Sequence, residues 1–119
     1  MVFNNKMLPI LGICFGHQIM GLFFNAKITK CQPDRNWQNI IFETKFDLFD
    51  CNSAVFMEDH CECIDGPDEF IVSGSSSICS NEAMQHKVNP WYGVQFHPEV
   101  SGENGILLIK NFLKKCNVI

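Results

Sequence analysis

Residues 12–16 read Gly-Ile-Cys-Phe-Gly, so a nucleophilic side chain stands between two glycines. The apolar residues 10–13 predict a buried strand, and residues 19–23 have the apolar spacing of a helix. A sharp strand-to-helix turn of this kind is a nucleophile elbow, here with Cys14 at its apex. Side chains on either side of the apex would collide in the strained turn, so glycine is expected at both positions. The free N–H groups at the start of the helix favour a thiolate at the apex. The plainer alternative is a small buried cysteine beside a tight turn.

A second group of chemically capable residues lies at positions 94–99, Val-Gln-Phe-His-Pro-Glu. A strand is expected to end at Phe96, and Pro98 restricts the backbone so that His97 stands at the carboxyl end of that strand. Glu99 lies two residues further on and could hydrogen-bond the far imidazole nitrogen. Together with Cys14, these residues supply the three parts of a thiol triad.

The rest of the chain predicts a mixed α/β domain whose middle is a run of short antiparallel strands. The expected strands are residues 26–30, 40–44, 54–57, 70–72, 82–87 and 91–96, with turns at 32–36 and 65–68 and a helix at 105–115. At 119 residues the chain is long enough for a single domain.

Composition limits the partners and the compartment. The net charge of −4 argues against binding to nucleic acid or to an anionic membrane surface. The longest apolar run is too short to span a bilayer. Seven scattered cysteines predict free thiols in a reducing compartment, and therefore a cytoplasmic protein. Residues 59–63 offer metal-ligand side chains without a second ligand pair at finger-like spacing, so a loop is expected there and no metal site.

The motifs at residues 12–18 and 94–99 resemble the two hallmark motifs of the class I (triad-type) glutamine amidotransferases. Within that family, residues 82–87 and 90–93 are most similar to the glutaminase domain or subunit of GMP synthase. The resemblance extends over nearly the whole chain. It implies an α/β fold, a mixed sheet with flanking helices, and one partial glutamine amidotransferase domain over residues 1–119.

The resemblance also implies a role for individual residues. These are Cys14 as nucleophile, His97 as general base and acid, Glu99 as the orienting carboxylate, and Phe15, Gly16 and Gln18 as glutamine-binding residues, with the Phe15 N–H as an oxyanion donor. The implied reaction is attack of the thiolate on the carboxamide, release of ammonia and hydrolysis of the thioester. The ammonia would serve the amination of XMP to GMP on an ATP-pyrophosphatase subunit or domain. No cofactor is expected in this chain, because ATP and Mg²⁺ belong to that partner.

The sequence also departs from the family pattern. Members begin with strands, helices and a Gly-rich loop before the elbow, so the resemblance implies an amino-terminally truncated domain. The strand at residues 10–13 would then lack neighbours on one side, and weak glutaminase activity and marginal stability are expected of the chain alone. Residues 58–61, Glu-Asp-His-Cys, stand where relatives carry Ser-His-x-Asp.

Two other functions remain open at this point. One is a catalytically inactive remnant that acts as an interaction module. The other is the glutaminase of another amidotransferase branch, of the anthranilate or carbamoyl phosphate type, against which Val100 and residues 82–87 argue.

Overall fold

A computed structural model describes residues 8–118 of the chain. Its elements in chain order are β1 (Ile10–Ile13), α1 (Phe15–Phe23), β2 (Ile28–Asp34), β3 (Trp37–Phe42), β4 (Ser53–Met57), β5 (His60–Ile64), β6 (Phe70–Ser75), β7 (Ala83–His86), β8 (Trp91–Val94), a 3₁₀ turn (Pro98–Val100) and α2 (Gly102–Lys115). Residues 1–7, which belong to the expected domain of residues 1–119, lie outside the described part, as does residue 119.

Six strands form one mixed sheet in the order β1-β8-β7-β6-β3-β4. The pair β1–β8 is parallel and the other pairs are antiparallel, which confirms the predicted α/β class with an antiparallel middle. Strands β2 and β5 form a separate antiparallel pair. Within the described residues, β1 lies at one edge of this sheet with β8 as its neighbour.

The two-stranded sheet corrects two sequence predictions. The turn expected at residues 32–36 is wrong in its first part, because β2 continues as far as Asp34. The loop expected at residues 59–63 is also wrong, because β5 begins at His60. Strand β5 shows no apolar alternation in its sequence, so pairing with β2, and not local pattern, defines it.

An aromatic core packs between the sheet and α2. Phe56 of β4 stacks on Phe96 with ring centroids 4.0 Å apart, and both side chains are fully buried. Leu108 of α2 belongs to the same buried cluster. Gly105 lets α2 approach closely, since a Cβ at that position would overlap the backbone carbonyl of Pro98. Burial of this apolar area is the main force that holds the segment after β8 in place.

A disulfide joins Cys63 of β5 to Cys79, whose Cα atoms lie 5.7 Å apart. The prediction that all seven cysteines are free thiols is therefore wrong for this pair, and the cysteines no longer argue for a reducing compartment. The two residues are separated by 16 positions, and strand β6 of the six-stranded sheet lies between them in the chain. The cysteines that remain free are Cys14, Cys31, Cys51, Cys61 and Cys116.

Among residues 8–118, no helix combines the length and the apolar character that a membrane crossing requires.

Candidate active site at the carboxyl ends of two parallel strands

The parallel register of β1 and β8 brings the two motifs together. Gly12 lies opposite Gly93, and Ile13 lies opposite Val94. The Cys14 N–H then donates to the Val94 carbonyl at 2.8 Å, which continues the ladder by one residue. Both motifs therefore emerge at the same edge of the sheet, as the sequence predicted for a nucleophile and a base.

Cys14 stands at a strained apex. Its φ of 54° and ψ of −104° lie in a region that side-chain-bearing residues rarely occupy, and α1 begins at the next residue. Gly12 is required there, because a Cβ would lie 2.7 Å from the Gly16 carbonyl oxygen. The collision predicted for Gly16 itself is wrong, since a Cβ at that position would meet no atom within 4 Å beyond its chain neighbours and the nearby backbone of α1.

The Cys14 sulfur contacts two groups outside its own helix. The thiol donates to the backbone carbonyl of Asp59 at 3.7 Å, and the side-chain nitrogen of Gln95 lies 3.7 Å from the sulfur. Burial raises the pKa of the Cys14 thiol, while the Phe15 N–H acts in the opposite direction and the Glu58 carboxylate raises it further. The expected preference for thiolate is therefore wrong for the site as it stands. Burial raises the pKa of the thiol by more than the N–H group at the start of α1 lowers it.

His97 is held by its backbone and oriented by Glu99. The His97 Nδ1 lies 2.7 Å from Glu99 Oε2, which is the contact expected from the sequence. The His97 N–H donates to the Met57 carbonyl at 2.9 Å, and Ser101 Oγ donates to the His97 carbonyl at 2.6 Å. With Nδ1 directed at a carboxylate, Nε2 is the nitrogen left for proton transfer.

Cys14 and His97 both lie beside Asp59. The Asp59 carbonyl accepts from the Cys14 thiol, and Asp59 and His97 line one cavity of about 270 Å³. Within residues 8–118, no hydrogen bond joins Cys14 to His97, so a working triad stays a prediction. A depression of about 490 Å³, lined by residues 24–27 and 65–69, contains none of the predicted site residues.

The predicted glutamine-binding residues differ in their surroundings. Phe15 is 68% exposed at the first turn of α1. Gln18 is buried, and its side-chain nitrogen donates to the Glu62 carbonyl at 3.0 Å and to Gln95 Oε1 at 3.2 Å. Because both contacts are within the protein, a part for Gln18 in holding glutamine stays a prediction.

Gln95 is a site residue that the sequence reasoning missed. Its side chain is fully buried and connects Gln18 to the Cys14 sulfur. The available signal was an uncharged polar residue between two buried apolar ones at the end of a strand, Val94 and Phe96.

His17 lies in the first turn after the elbow, and its ring points into the protein interior. It is fully buried, and burial lowers its pKa to about 4. Its Nε2 lies 3.1 Å from the Asn81 carbonyl. Gly93 faces this ring, since a Cβ at Gly93 would overlap the His17 Nδ1. His17 therefore packs against β8.

A buried polar cluster lies behind the site and was not predicted. It consists of Asp34, Glu58, His60 and Glu82, each of which offers a ligand atom within 4.8 Å of the others. Burial raises the pKa of Glu58 to about 7 and the pKa of Glu82 to about 9. Glu58 directly precedes Asp59, so the cluster and the Cys14 environment share one segment.

The elbow, the histidine–glutamate pair and the mixed sheet define a class of protein. Residues 2–116 match the family Glutamine amidotransferase class-I, and the chain belongs to this family.

Several of its relatives are of one kind. The glutamine-hydrolyzing GMP synthase subunit of Methanococcus aeolicus is 41% identical over 120 residues, which cover 97% of this chain and 64% of the relative. The glutamine-hydrolyzing GMP synthase of Bacillus licheniformis is 40% identical over 111 residues, or 89% of this chain and 22% of the relative. The crystal structure of a putative GMP synthase subunit protein from Thermoplasma acidophilum superposes with a TM-score of 0.89 at 31% identity, and the match covers 97% of this chain and 60% of that chain. The chain therefore spans less than two thirds of the length of these relatives.

Proposed function

We propose that the chain is the glutaminase part of a GMP synthase and hydrolyses glutamine to supply ammonia for the amination of XMP to GMP. The observation that carries the proposal is the juxtaposition of two parallel strand ends. One ends in the strained Cys14 elbow, and the other leads into His97 with Glu99 at 2.7 Å. The named relatives support the GMP synthase branch.

In the proposed reaction, the Cys14 sulfur attacks the side-chain carbonyl carbon of glutamine while His97 Nε2 accepts the thiol proton. Negative charge develops on the carbonyl oxygen, and the Phe15 N–H at the start of α1 donates to it. The imidazolium then protonates the departing nitrogen, which leaves as ammonia. Glu99 keeps the ring in the orientation and tautomer that this proton transfer requires.

The second half of the reaction hydrolyses the glutamyl thioester. His97 Nε2 takes a proton from water, and the resulting hydroxide attacks the thioester carbonyl carbon. The Cys14 sulfur then leaves as the thiol, with the proton returned by the imidazolium. Glutamate is released. The ammonia passes to an ATP-pyrophosphatase partner, on which ATP and Mg²⁺ would bind. The relatives are enzymes of metabolism, which supports the cytoplasm as the place of action.

One observation favours a second candidate, an inactive member of the family that serves as an interaction module. Burial raises the pKa of the Cys14 thiol, and within residues 8–118 its hydrogen-bond partners are Asp59 and Gln95. A thiol held in this way is a weak nucleophile until binding of substrate or partner rearranges the site.

Glutamate release from glutamine separates the two candidates. It is measured on the chain alone and together with a purified ATP-pyrophosphatase subunit of GMP synthase. A glutaminase loses its turnover in Cys14→Ala and keeps it in Cys61→Ser, a matched change at an exposed free cysteine. Glu99→Gln should lower the rate about 10²-fold or more, because the histidine loses its orienting charge. Complex formation with no glutamate release above the Cys14→Ala background would establish the interaction module instead.

A further inference from the structure

The buried polar cluster joins segments from four parts of the chain. Asp34 is the last residue of β2 and His60 the first of β5, whereas Glu58 follows β4 and Glu82 precedes β7. Glu58 and Glu82 are 0% exposed, Asp34 is 4% exposed and His60 is 8% exposed. Three carboxyl groups and one imidazole therefore share an interior space, where an isolated charge is strongly unfavourable.

Asp34, Glu82 and His60 each have one polar atom that hydrogen-bonds to a residue outside the cluster. Gln38 Nε2 donates to Asp34 Oδ1 at 3.2 Å, and Ser76 Oγ donates to Glu82 Oε2 at 2.6 Å. The His60 Nδ1 lies 3.0 Å from the backbone carbonyl of Glu62. Such outer contacts orient side chains whose remaining atoms bind a metal ion.

Among the described residues, the remaining atoms have no hydrogen-bond partner outside the cluster. They are Asp34 Oδ2, Glu82 Oε1, His60 Nε2 and both carboxylate oxygens of Glu58. A polar atom of this kind, when buried and unsatisfied, destabilises the folded protein. Asp34, His60 and Glu82 therefore each leave one polar atom without a partner outside the cluster, and Glu58 leaves two.

These free atoms face one another. With Nδ1 as the donor to the Glu62 carbonyl, a neutral His60 ring presents a lone pair at Nε2. That lone pair lies 2.9 Å from Glu58 Oε1 and 3.9 Å from Asp34 Oδ2. Three acceptors at such short separations repel one another unless a proton or a cation lies between them.

We propose that Asp34, Glu58, His60 and Glu82 bind a divalent cation through His60 Nε2 and carboxylate oxygens. A single imidazole with three carboxylates suits Mn²⁺ or Zn²⁺, since nitrogen ligands favour the later metals and carboxylates the harder ones. Ligand distances of about 2.0–2.1 Å place tetrahedral ligand atoms about 3.3 Å apart. The observed spread of up to 4.8 Å therefore has to contract modestly when the ion binds.

The cation would join the two sheets of the fold. Asp34 and His60 belong to the two-stranded sheet, and Glu58 and Glu82 flank strands of the six-stranded sheet. It would also neutralise Glu58, whose carboxylate raises the pKa of Cys14. The site is separate from the proposed catalytic residues, so it can be tested without reference to glutamine hydrolysis.

Two other arrangements would account for part of the same geometry. Protons could occupy the carboxyl groups in place of a metal, because burial raises the pKa of both Glu58 and Glu82. A second group of ligand types, Cys31, Cys63 and Cys79, surrounds the other side of His60 and would attract Zn²⁺ if the disulfide were reduced. Titration with two different metal ions distinguishes these arrangements from the proposed site.

The test measures Mn²⁺ binding to the full chain, after treatment with a chelator and removal of the chelator. Mn²⁺ is the first probe because thiolates do not favour it, so the free cysteines do not compete. We expect one equivalent of Mn²⁺ to bind per chain by calorimetric titration, and the electron paramagnetic resonance signal of the free ion to disappear. Zn²⁺ should displace it, in agreement with the usual order of affinities.

Glu58→Gln should weaken Mn²⁺ binding at least about tenfold, and Asp34→Asn should do the same. Asp59→Asn is the matched control, because it removes a carboxylate from the next position, whose side chain is exposed and paired with Arg35. Circular dichroism verifies that each variant is folded, and the two ligand variants keep the test decisive if one of them does not fold.

Three results would overturn the proposal. The first is a folded chain that binds neither Mn²⁺ nor Zn²⁺, which would assign protons to the cluster. The second is Mn²⁺ binding that Glu58→Gln and Asp34→Asn leave unchanged. The third is Zn²⁺ binding that Cys31→Ser abolishes while Glu58→Gln does not, which would place the ion among the cysteines.

Discussion

The side-chain nitrogen of Gln95 lies 3.7 Å from the sulfur of Cys14. The oxygen of the same amide accepts a hydrogen bond from Gln18 at 3.2 Å, so one buried group links the elbow to α1. The parallel register of β1 and β8 produces this contact, since the chain leaves both strands at the same edge. Gln95, two residues before His97, thus contacts both the elbow sulfur and the helix that follows it.

Gln95→Leu should slow the reaction of Cys14 with a glutamine-like electrophile and lower the free energy of unfolding by about 1–3 kcal/mol. The buried Gln18 amide would lose one of its two acceptors, which accounts for the stability change. Gln32→Leu, at an exposed position of β2, is the control and should change neither quantity. Urea unfolding and adduct formation followed by mass spectrometry measure the two effects. Equal Cys14 reactivity in both variants would show that Gln95 does not position the sulfur.

Reduction of the Cys63–Cys79 disulfide should lower the free energy of unfolding by about 3 kcal/mol, because the bond links residues separated by 16 positions. The measurement compares denaturant midpoints with and without a reductant. The double variant Cys63→Ala/Cys79→Ala is the control, and its midpoint should not respond to the reductant. A wild-type midpoint that is equally insensitive would indicate that the two thiols are not joined.

Phe56→Ala should destabilise the chain by about 3–5 kcal/mol. The ring is fully buried and stacks on Phe96, so its loss leaves a cavity beneath the segment that carries His97. Val55→Ala on the same strand is the matched control. Because Val55 is 43% exposed, this substitution should lower the free energy of unfolding by much less than about 3 kcal/mol. Thermal unfolding of both variants checks the prediction, and similar losses in the two would contradict the packing described for this core.

In a chelator, the chain should become less stable as the pH rises. Burial raises the pKa of Glu58 from 4.5 to about 7 and that of Glu82 from 4.5 to about 9, so the folded state holds protons that the unfolded state has released. Below pH 4.5 the two groups make their full contribution to the free energy of unfolding. That contribution is lost progressively as the pH rises to about 9. Asp34 and His60 are the other titratable groups of the cluster that face this space.

Unfolding curves recorded between about pH 6 and pH 9 test this dependence. Glu58→Gln should flatten it, because the substituted amide does not ionise. Wild-type stability that rises over the same interval would show that the carboxyl groups are ionised and compensated in the folded chain.

Sequence reasoning succeeds where a feature is local. The Cys14 elbow depends on five consecutive residues, and the contact of His97 with Glu99 joins positions two apart, so residue types and spacing were enough to predict both. The antiparallel middle of the sheet was predictable for the same reason, from the alternation and turn residues of short segments.

Features that depend on long-range contacts were missed. His60 lies in a strand whose sequence carries no strand pattern, and its neighbours Asp34 and Glu82 are brought to it by the pairing of β2 with β5 and the course of the chain before β7. The pKa of Cys14 was predicted in the wrong direction because burial by distant segments cannot be read from the elbow alone.

The most direct test of Cys14 as the nucleophile of a glutamine site compares two reagents on the same chain. One is a diazoketone analogue of glutamine, which requires a glutamine site, and the other is iodoacetamide, which requires only an accessible thiolate. Peptide mass spectrometry follows adducts on the free cysteines over time, with Cys14→Ser as the control.

Iodoacetamide should modify the exposed Cys51 and Cys61 before Cys14, because burial raises the pKa of the Cys14 thiol. The glutamine analogue should reverse that order, modify Cys14 first, and give no adduct at position 14 in Cys14→Ser. Modification of Cys51 and Cys61 first by both reagents would contradict the assignment of Cys14 as the nucleophile of a glutamine site.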